Sequence, residues 1–132
     1  MIRNSGTNQD GRTAGITLPS GKAQVELIDR LYQSTGLDPV ETSYVEAHGT
    51  GTAAGDPIEA ASLSNVFARE RPSDEPLKVG SIKSNIGHLE GGSGIAAVVK
   101  TVLMLEKGLI LPNFNFKKPN ARIPMQDWKI EV

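Results

Sequence analysis

The chain holds two histidines, His48 and His88, and each follows a short run of strand-forming residues. His48 comes directly after Thr42–Ala47, and His88 lies six residues beyond a run that ends near Ile82. In open parallel sheets, ligands bind beyond the carboxyl ends of the strands. Gly49 follows the first histidine and Gly87 precedes the second, which lets a substrate approach the backbone closely. If the two strands are neighbours, both imidazoles face one crevice and Lys83 stands at its rim. A loop histidine beside glycine, taken alone, is more often a hydrogen-bonded turn residue, and a lone lysine a solvated one. The paired placement makes the three together a candidate catalytic constellation.

Other chemistries fit these residues less well. Gly49-Thr50-Gly51-Thr52-Ala53-Ala54-Gly55 has the composition of a phosphate cradle, but its glycines do not follow G-x-G-x-x-G and no Gly-Lys-Ser/Thr comes after it. Asp56, at the start of the helix beyond, would repel a phosphate from that N-terminus. His48 and His88 with Asp56 or Glu46 could form a zinc site, as in a metal-dependent hydrolase, although no His-x-x-x-His pair lies on a helix. A serine nucleophile would need Gly-x-Ser-x-Gly, which is absent. With Cys 0, disulfides, thiolate metal sites and a cysteine nucleophile are all excluded within this chain.

The elements that must position the histidines are legible from periodicity and caps. Ser20 is the expected N-cap of a helix over Gly21–Thr35. Val25, Leu27, Ile28, Leu31 and Tyr32 line one face of it, and Gly36 ends it. Thr42–Ala47 reads as a strand. Asp56, Pro57 and Glu59 read as N-cap, N1 and N3 of a second helix, with Glu59 completing a capping box. Leu77–Ile82 reads as another strand, Gly92–Lys107 as a helix apolar on nearly every face and therefore buried, and Leu109–Phe116 as a last strand kinked or held at an edge by Pro112. With the polar segment Ile2–Asn8 at the head, the order is β-α-β-α-β-α-β. That order predicts an α/β fold with a mainly parallel sheet and helices on both faces.

Composition narrows the partners. In 132 residues, Lys+Arg 14 against Asp+Glu 15 gives a formal net charge of -1, so there is no basic excess to suit a nucleic acid. The Lys117-Lys118 pair is too small a patch to change that. No signal peptide follows Met1, and the most apolar stretch, Ile95–Leu111, is broken by Lys100, Glu106, Lys107 and Gly108. The expected setting is cytoplasmic, with no membrane partner.

Three blocks together are specific. They are Glu46-Ala47-His48-Gly49-Thr50-Gly51-Thr52, Gly55-Asp56-Pro57-Ile58-Glu59 and Gly80-Ser81-Ile82-Lys83-Ser84-Asn85-Ile86-Gly87-His88. They resemble the C-terminal half of β-ketoacyl synthases of the polyketide and fatty acid synthase family, and Asn8-Gln9-Asp10-Gly11 and Pro112-Asn113-Phe114-Asn115-Phe116 extend the likeness along the chain. Gln9 is more like the ketosynthases of polyketide synthases than that of animal fatty acid synthase. The run from Gly91 to Gly108 is most similar to fungal iterative reducing enzymes.

The resemblance implies a thiolase-like half-domain, one of two similar halves that pack their sheets around shared helices. It implies decarboxylative Claisen condensation of acyl and malonyl thioesters, with His48 and His88 as the catalytic histidines and Lys83 in support. Thr50 and Thr52 match threonines that bind a phosphopantetheine arm. No cofactor is then bound directly, because phosphopantetheine arrives on an acyl carrier protein. The other implied partners are the rest of the ketosynthase domain and of a multidomain synthase, with a homodimeric parent. Residues 1–132 are expected to be the C-terminal part of a ketosynthase domain, without the cysteine-bearing N-terminal half and the final strands, and inactive alone. The rival reading is a non-catalytic remnant or scaffold fragment.

Overall fold

A computed structural model describes residues 1–132 and contains a three-stranded parallel sheet flanked by helices. Helix α1 spans Gly21–Thr35. The Ser20 hydroxyl accepts from the Ala23 N–H at 3.2 Å, and Gly36, at φ 63°, closes the C-terminus, as the sequence predicts. Strand β1 is Tyr44–Glu46, β2 is Leu77–Gly80 and β3 is Ile130–Glu131, paired in the order β1-β2-β3. Val45 lies opposite Val79, and Leu77 opposite Ile130. Helix α2, Gly55–Leu63, runs on through a wider π turn at Ser64–Ala68 and connects β1 to β2. Short helix α3, Lys83–Ile86, follows β2, and α4 spans Ser93–Lys107.

Strand alternation divides the chain into two unlike layers. Val45 and Ala47 face α1 and α2, where Leu63, Phe67, Ala68 and Leu77 form the core. Leu77 is 0% exposed, and Tyr32 of α1 meets Phe67 edge to face, with ring centroids 5.3 Å apart. Tyr44 and Glu46 are directed to the other face, where the ammonium of Lys100 in α4 bonds both.

Three local expectations are corrected. Leu109–Phe116 forms no strand. Pro112 has no N–H to donate, and Asn113 reaches the free part of the β2 edge with its side chain instead: its Oδ1 accepts from the Ser81 N–H at 2.8 Å and its Nδ2 donates to the Val79 carbonyl at 3.1 Å. Ile2–Asn8 is not a strand either, because side chains tie it across α1: Asn4 Nδ2 donates to the Leu31 carbonyl and Asn8 Nδ2 to that of Ala23. The parallel neighbour supplied late in the chain is Ile130–Glu131, too short to announce itself by periodicity.

Helix α4 is the third correction. Its buried residues are Ser93, Lys100 and Met104, a single stripe toward the sheet, whereas Ile95 is 70% and Leu105 77% exposed. Val98, Val99, Val102 and Leu103 are exposed with them, because no other element of this chain covers that face. A helix this apolar normally belongs in a core. No helix is long and apolar enough to cross a membrane.

Domains are stable by only about 5–15 kcal/mol, and each unburied large apolar side chain forgoes roughly 1.5–3 kcal/mol. The isolated 132-residue chain is therefore expected to bind apolar-surface dyes and to associate through α4. A monomeric chain with a cooperative thermal transition above about 55 °C and no dye binding would refute this.

Candidate active site

The last ladder bond of β1 runs from the Ala47 N–H to the Gly80 carbonyl at 2.7 Å, and the chain then turns sharply at His48-Gly49. Gly49 sits at φ 51°, and a Cβ there would lie 2.7 Å from that of Ser81, so both conformation and space require glycine. The turn's N–H groups point at α2. The Glu59 carboxylate accepts from His48 N–H at 2.6 Å and from Gly49 N–H at 2.9 Å. Asp56 Oδ1 likewise accepts from Gly51 and Thr52, at 3.1 and 3.3 Å.

The expected capping box is thus not made. The helix begins at Gly55, whose N–H is met by Thr52 Oγ1 at 3.0 Å, and both carboxylates serve the preceding loop rather than their own helix. A glycine-rich turn has no regular structure to satisfy its backbone donors, and such donors seldom go unpaired.

His88 follows α3 through Gly87, at φ 74°. Its Nδ1 accepts from the Glu90 N–H at 2.9 Å and lies 3.0 Å from Ser93 Oγ, which also accepts from the Leu89 N–H. A backbone N–H can only donate, so the neutral His88 ring carries its proton on Nε2. The two imidazoles meet edge to face, with centroids 5.5 Å apart and planes at 89°. Direct pairing of β1 and β2 brings the two rings together, but they do not share the single crevice expected: His88 and Lys83 line one cavity and His48 another, with the His48–Gly55 loop between them.

Two cavities flank the His48–Gly55 loop. One of about 710 Å³ is lined by His88, Lys83, Thr50, Glu59, Asn113 and Phe116 among others. The other, about 330 Å³, has His48, Thr50, Thr52, Glu59 and Gln24 in its walls. Thr50 and Glu59 border both. Cavities of several hundred Å³ are of the size that holds small-molecule ligands. Glu46 and Asp56 are turned away from the histidines toward other donors, and no three His, Cys, Asp or Glu side chains converge on one point.

The residues that sequence reasoning missed are those that hold the site rather than face it: Glu59 as a backbone clamp, Ser93 behind His88, Asn113 at the β2 edge, and a buried cluster of Tyr44, Glu46 and Lys100. Lys100 Nζ lies 2.7 Å from Glu46 Oε2, both side chains are 7% exposed, and the ammonium also donates to Tyr44 Oη at 2.9 Å. The Tyr44 hydroxyl donates to the same carboxylate. Burial, then that hydrogen bond and the charge of Glu46, hold the phenol protonated far above the ordinary tyrosine range. The signal in the sequence was Lys100, the one charged residue in the nearly all-apolar run Ile95–Leu105, which called for a buried counter-charge.

The chain resembles known proteins over its whole length. It is 60% identical to the highly reducing polyketide synthase tstA of Talaromyces stipitatus, across 100% of this chain and 5% of that protein. It is 58% identical to the highly reducing polyketide synthase Preu1 of Preussia isomera, across 100% of this chain and 6% of that one. Among solved structures it superposes on the ketosynthase from module 6 of the bacillaene synthase of Bacillus subtilis 168, with a TM-score of 0.87, 43% identity and coverage of 95% of this chain and 22% of that chain. Ketosynthase twelve of the bacillaene polyketide synthase of Bacillus amyloliquefaciens gives a TM-score of 0.86 at 38% identity, over 95% of this chain and 22% of that one. The chain therefore spans a small part of each curated relative and under a quarter of each of these ketosynthase chains. The thiolase-like fold is thus present as a fragment. Residues 1–117 match the family described as beta-ketoacyl synthase, C-terminal domain, and the chain belongs to that family.

Proposed function

We propose that residues 1–132 are the histidine-bearing C-terminal part of a ketosynthase domain in a polyketide-type synthase, working with a cysteine-bearing half that this sequence does not include. The observation that carries this reading is the edge-to-face pair His48–His88, with its His88 proton committed to Nε2. Such a pair can present two N–H donors to one oxygen.

The chemistry follows from that. A malonyl thioester loses carbon dioxide as its carbon–carboxylate bond breaks, and the electron pair moves onto the thioester oxygen as an enolate. Donors fixed in place before the charge appears stabilise it without reorganising. The enolate carbon then attacks an acyl thioester held on the partner half's cysteine. A carbon–carbon bond forms, the carbon–sulfur bond breaks, and the thiolate leaves.

Lys83, at the rim of the larger cavity, adds positive potential beside the enolate. Thr50 and Thr52 present hydroxyls 3.5 Å apart near the smaller cavity, where they hydrogen-bond the phosphopantetheine arm of an acyl carrier protein. The covering of α4 by the remainder of the domain, within a homodimeric synthase, completes the assembly.

Because no thiol is present, the purified chain is expected to form no condensation product from acyl and malonyl thioesters. Robust product by mass spectrometry would overturn the reading. In the intact synthase, His48→Ala and His88→Ala should each lower malonyl decarboxylation and condensation by about 100- to 1000-fold, with acyl loading of the cysteine retained. Rates within about threefold of the parent would remove the oxyanion role.

A further inference from the structure

The Tyr44–Glu46–Lys100 cluster is in the walls of neither cavity, yet it joins the segments that carry His48, Lys83 and His88. Glu46 ends β1, two residues before His48. Its Oε2 accepts from Lys100 at 2.7 Å and from the Tyr44 hydroxyl. Its Oε1 accepts from the Ile82 N–H at 2.6 Å, at the entry to α3, one residue before Lys83 and six before His88. Lys100 belongs to α4, which begins at Ser93, the residue behind His88 Nδ1.

One carboxylate thus ties the strand that presents His48 to the turn that presents Lys83 and His88, and the ammonium ties both to the helix that sets the His88 ring. Space around it is tight as well: a Cβ on Gly80, opposite Glu46, would collide with the Tyr44 hydroxyl, so only glycine at that position leaves room for the cluster.

We propose that Glu46 and Lys100, with Tyr44, are positioning residues that fix the separation and mutual angle of His48 and His88. This rests on the condensation reading above and deepens it. A displacement of about 1 Å in a group that must meet developing charge can cost on the order of 100-fold in rate. The cluster therefore acts on the step that uses both imidazoles together, and leaves acyl transfer to the cysteine alone.

The test uses the intact synthase, with acyl loading and malonyl-dependent condensation measured separately. Lys100→Met and Glu46→Gln should lower kcat for condensation by about tenfold or more, with acyl loading and the KM for malonyl thioester within about twofold. Combined with His88→Ala, Lys100→Met should add less than about threefold, because the geometry it serves is already lost. Equal falls in loading and condensation, or full additivity with His88→Ala, would show a purely structural role and overturn the proposal.

Tyr44→Phe removes one arm while keeping the ion pair, and it decides the matter if the charge variants do not fold. A three- to tenfold selective loss of condensation is expected, and a rate within about twofold of the parent would overturn the proposal. If His48→Ala and His88→Ala suppress condensation while the cluster variants do not, this proposal alone falls. If the histidine variants are themselves without effect, the condensation reading falls and takes this proposal with it.

Discussion

A single buried carboxylate joins the parts of this chain that lie on the histidine side of the sheet. Glu46 gives up nearly all of its hydration, and the exchange is workable only because three donors replace the water: the Lys100 ammonium, the Tyr44 hydroxyl and the Ile82 N–H. Removing one partner from such a buried pair typically costs ~3–5 kcal/mol, whereas replacing both by well-packed apolar groups is often neutral. The pair therefore contributes direction more dependably than net stability. Low dielectric surroundings sharpen each of its bonds and leave it one arrangement.

The same device recurs around the loops on a smaller scale. Glu59 takes two successive N–H groups of the His48 turn, Asp56 takes two more from Gly51 and Thr52, and Asn113 completes the edge of β2 where no strand reaches. A glycine-rich segment is needed because the backbone must turn tightly and pass close to Ser81. The cost is conformational freedom, and side-chain acceptors from rigid neighbours remove that freedom again. The His88 ring is held likewise, with a backbone N–H choosing its tautomer.

The two faces of the sheet differ in how far this chain covers them. On the α1–α2 face, Leu63, Phe67 and Leu77 close a small core within the chain. On the α4 face the buried stripe is Ser93, Lys100 and Met104, and most of the large apolar side chains of the helix are exposed. No element of this chain covers that outward face, whereas α1 and α2 cover the other.

Sequence by itself determined the elements whose causes are local. Ser20 and Gly36 bound α1 because a hydroxyl acceptor and a left-handed glycine are needed at just those places, and the i, i+3, i+4 pattern between them turned the correct face to Phe67. The family, the parallel α/β class and the placing of His48 just beyond a strand were likewise legible, since they depend on residue type and order along the chain, whereas the short helix between β2 and His88 was not. Tertiary structure alone decided the rest. Asp56 and Glu59 have the right spacing for a capping box, but which N–H groups they meet depends on which loop lies against the helix. Lys100 looked like an interruption in an apolar helix until Glu46, 54 residues away, came into contact with it. Whether α4 is covered, and whether Leu109–Phe116 pairs as a strand, depend on neighbours distant in sequence. Local pattern records what a residue can do; only the packed fold supplies the partner with which it does it.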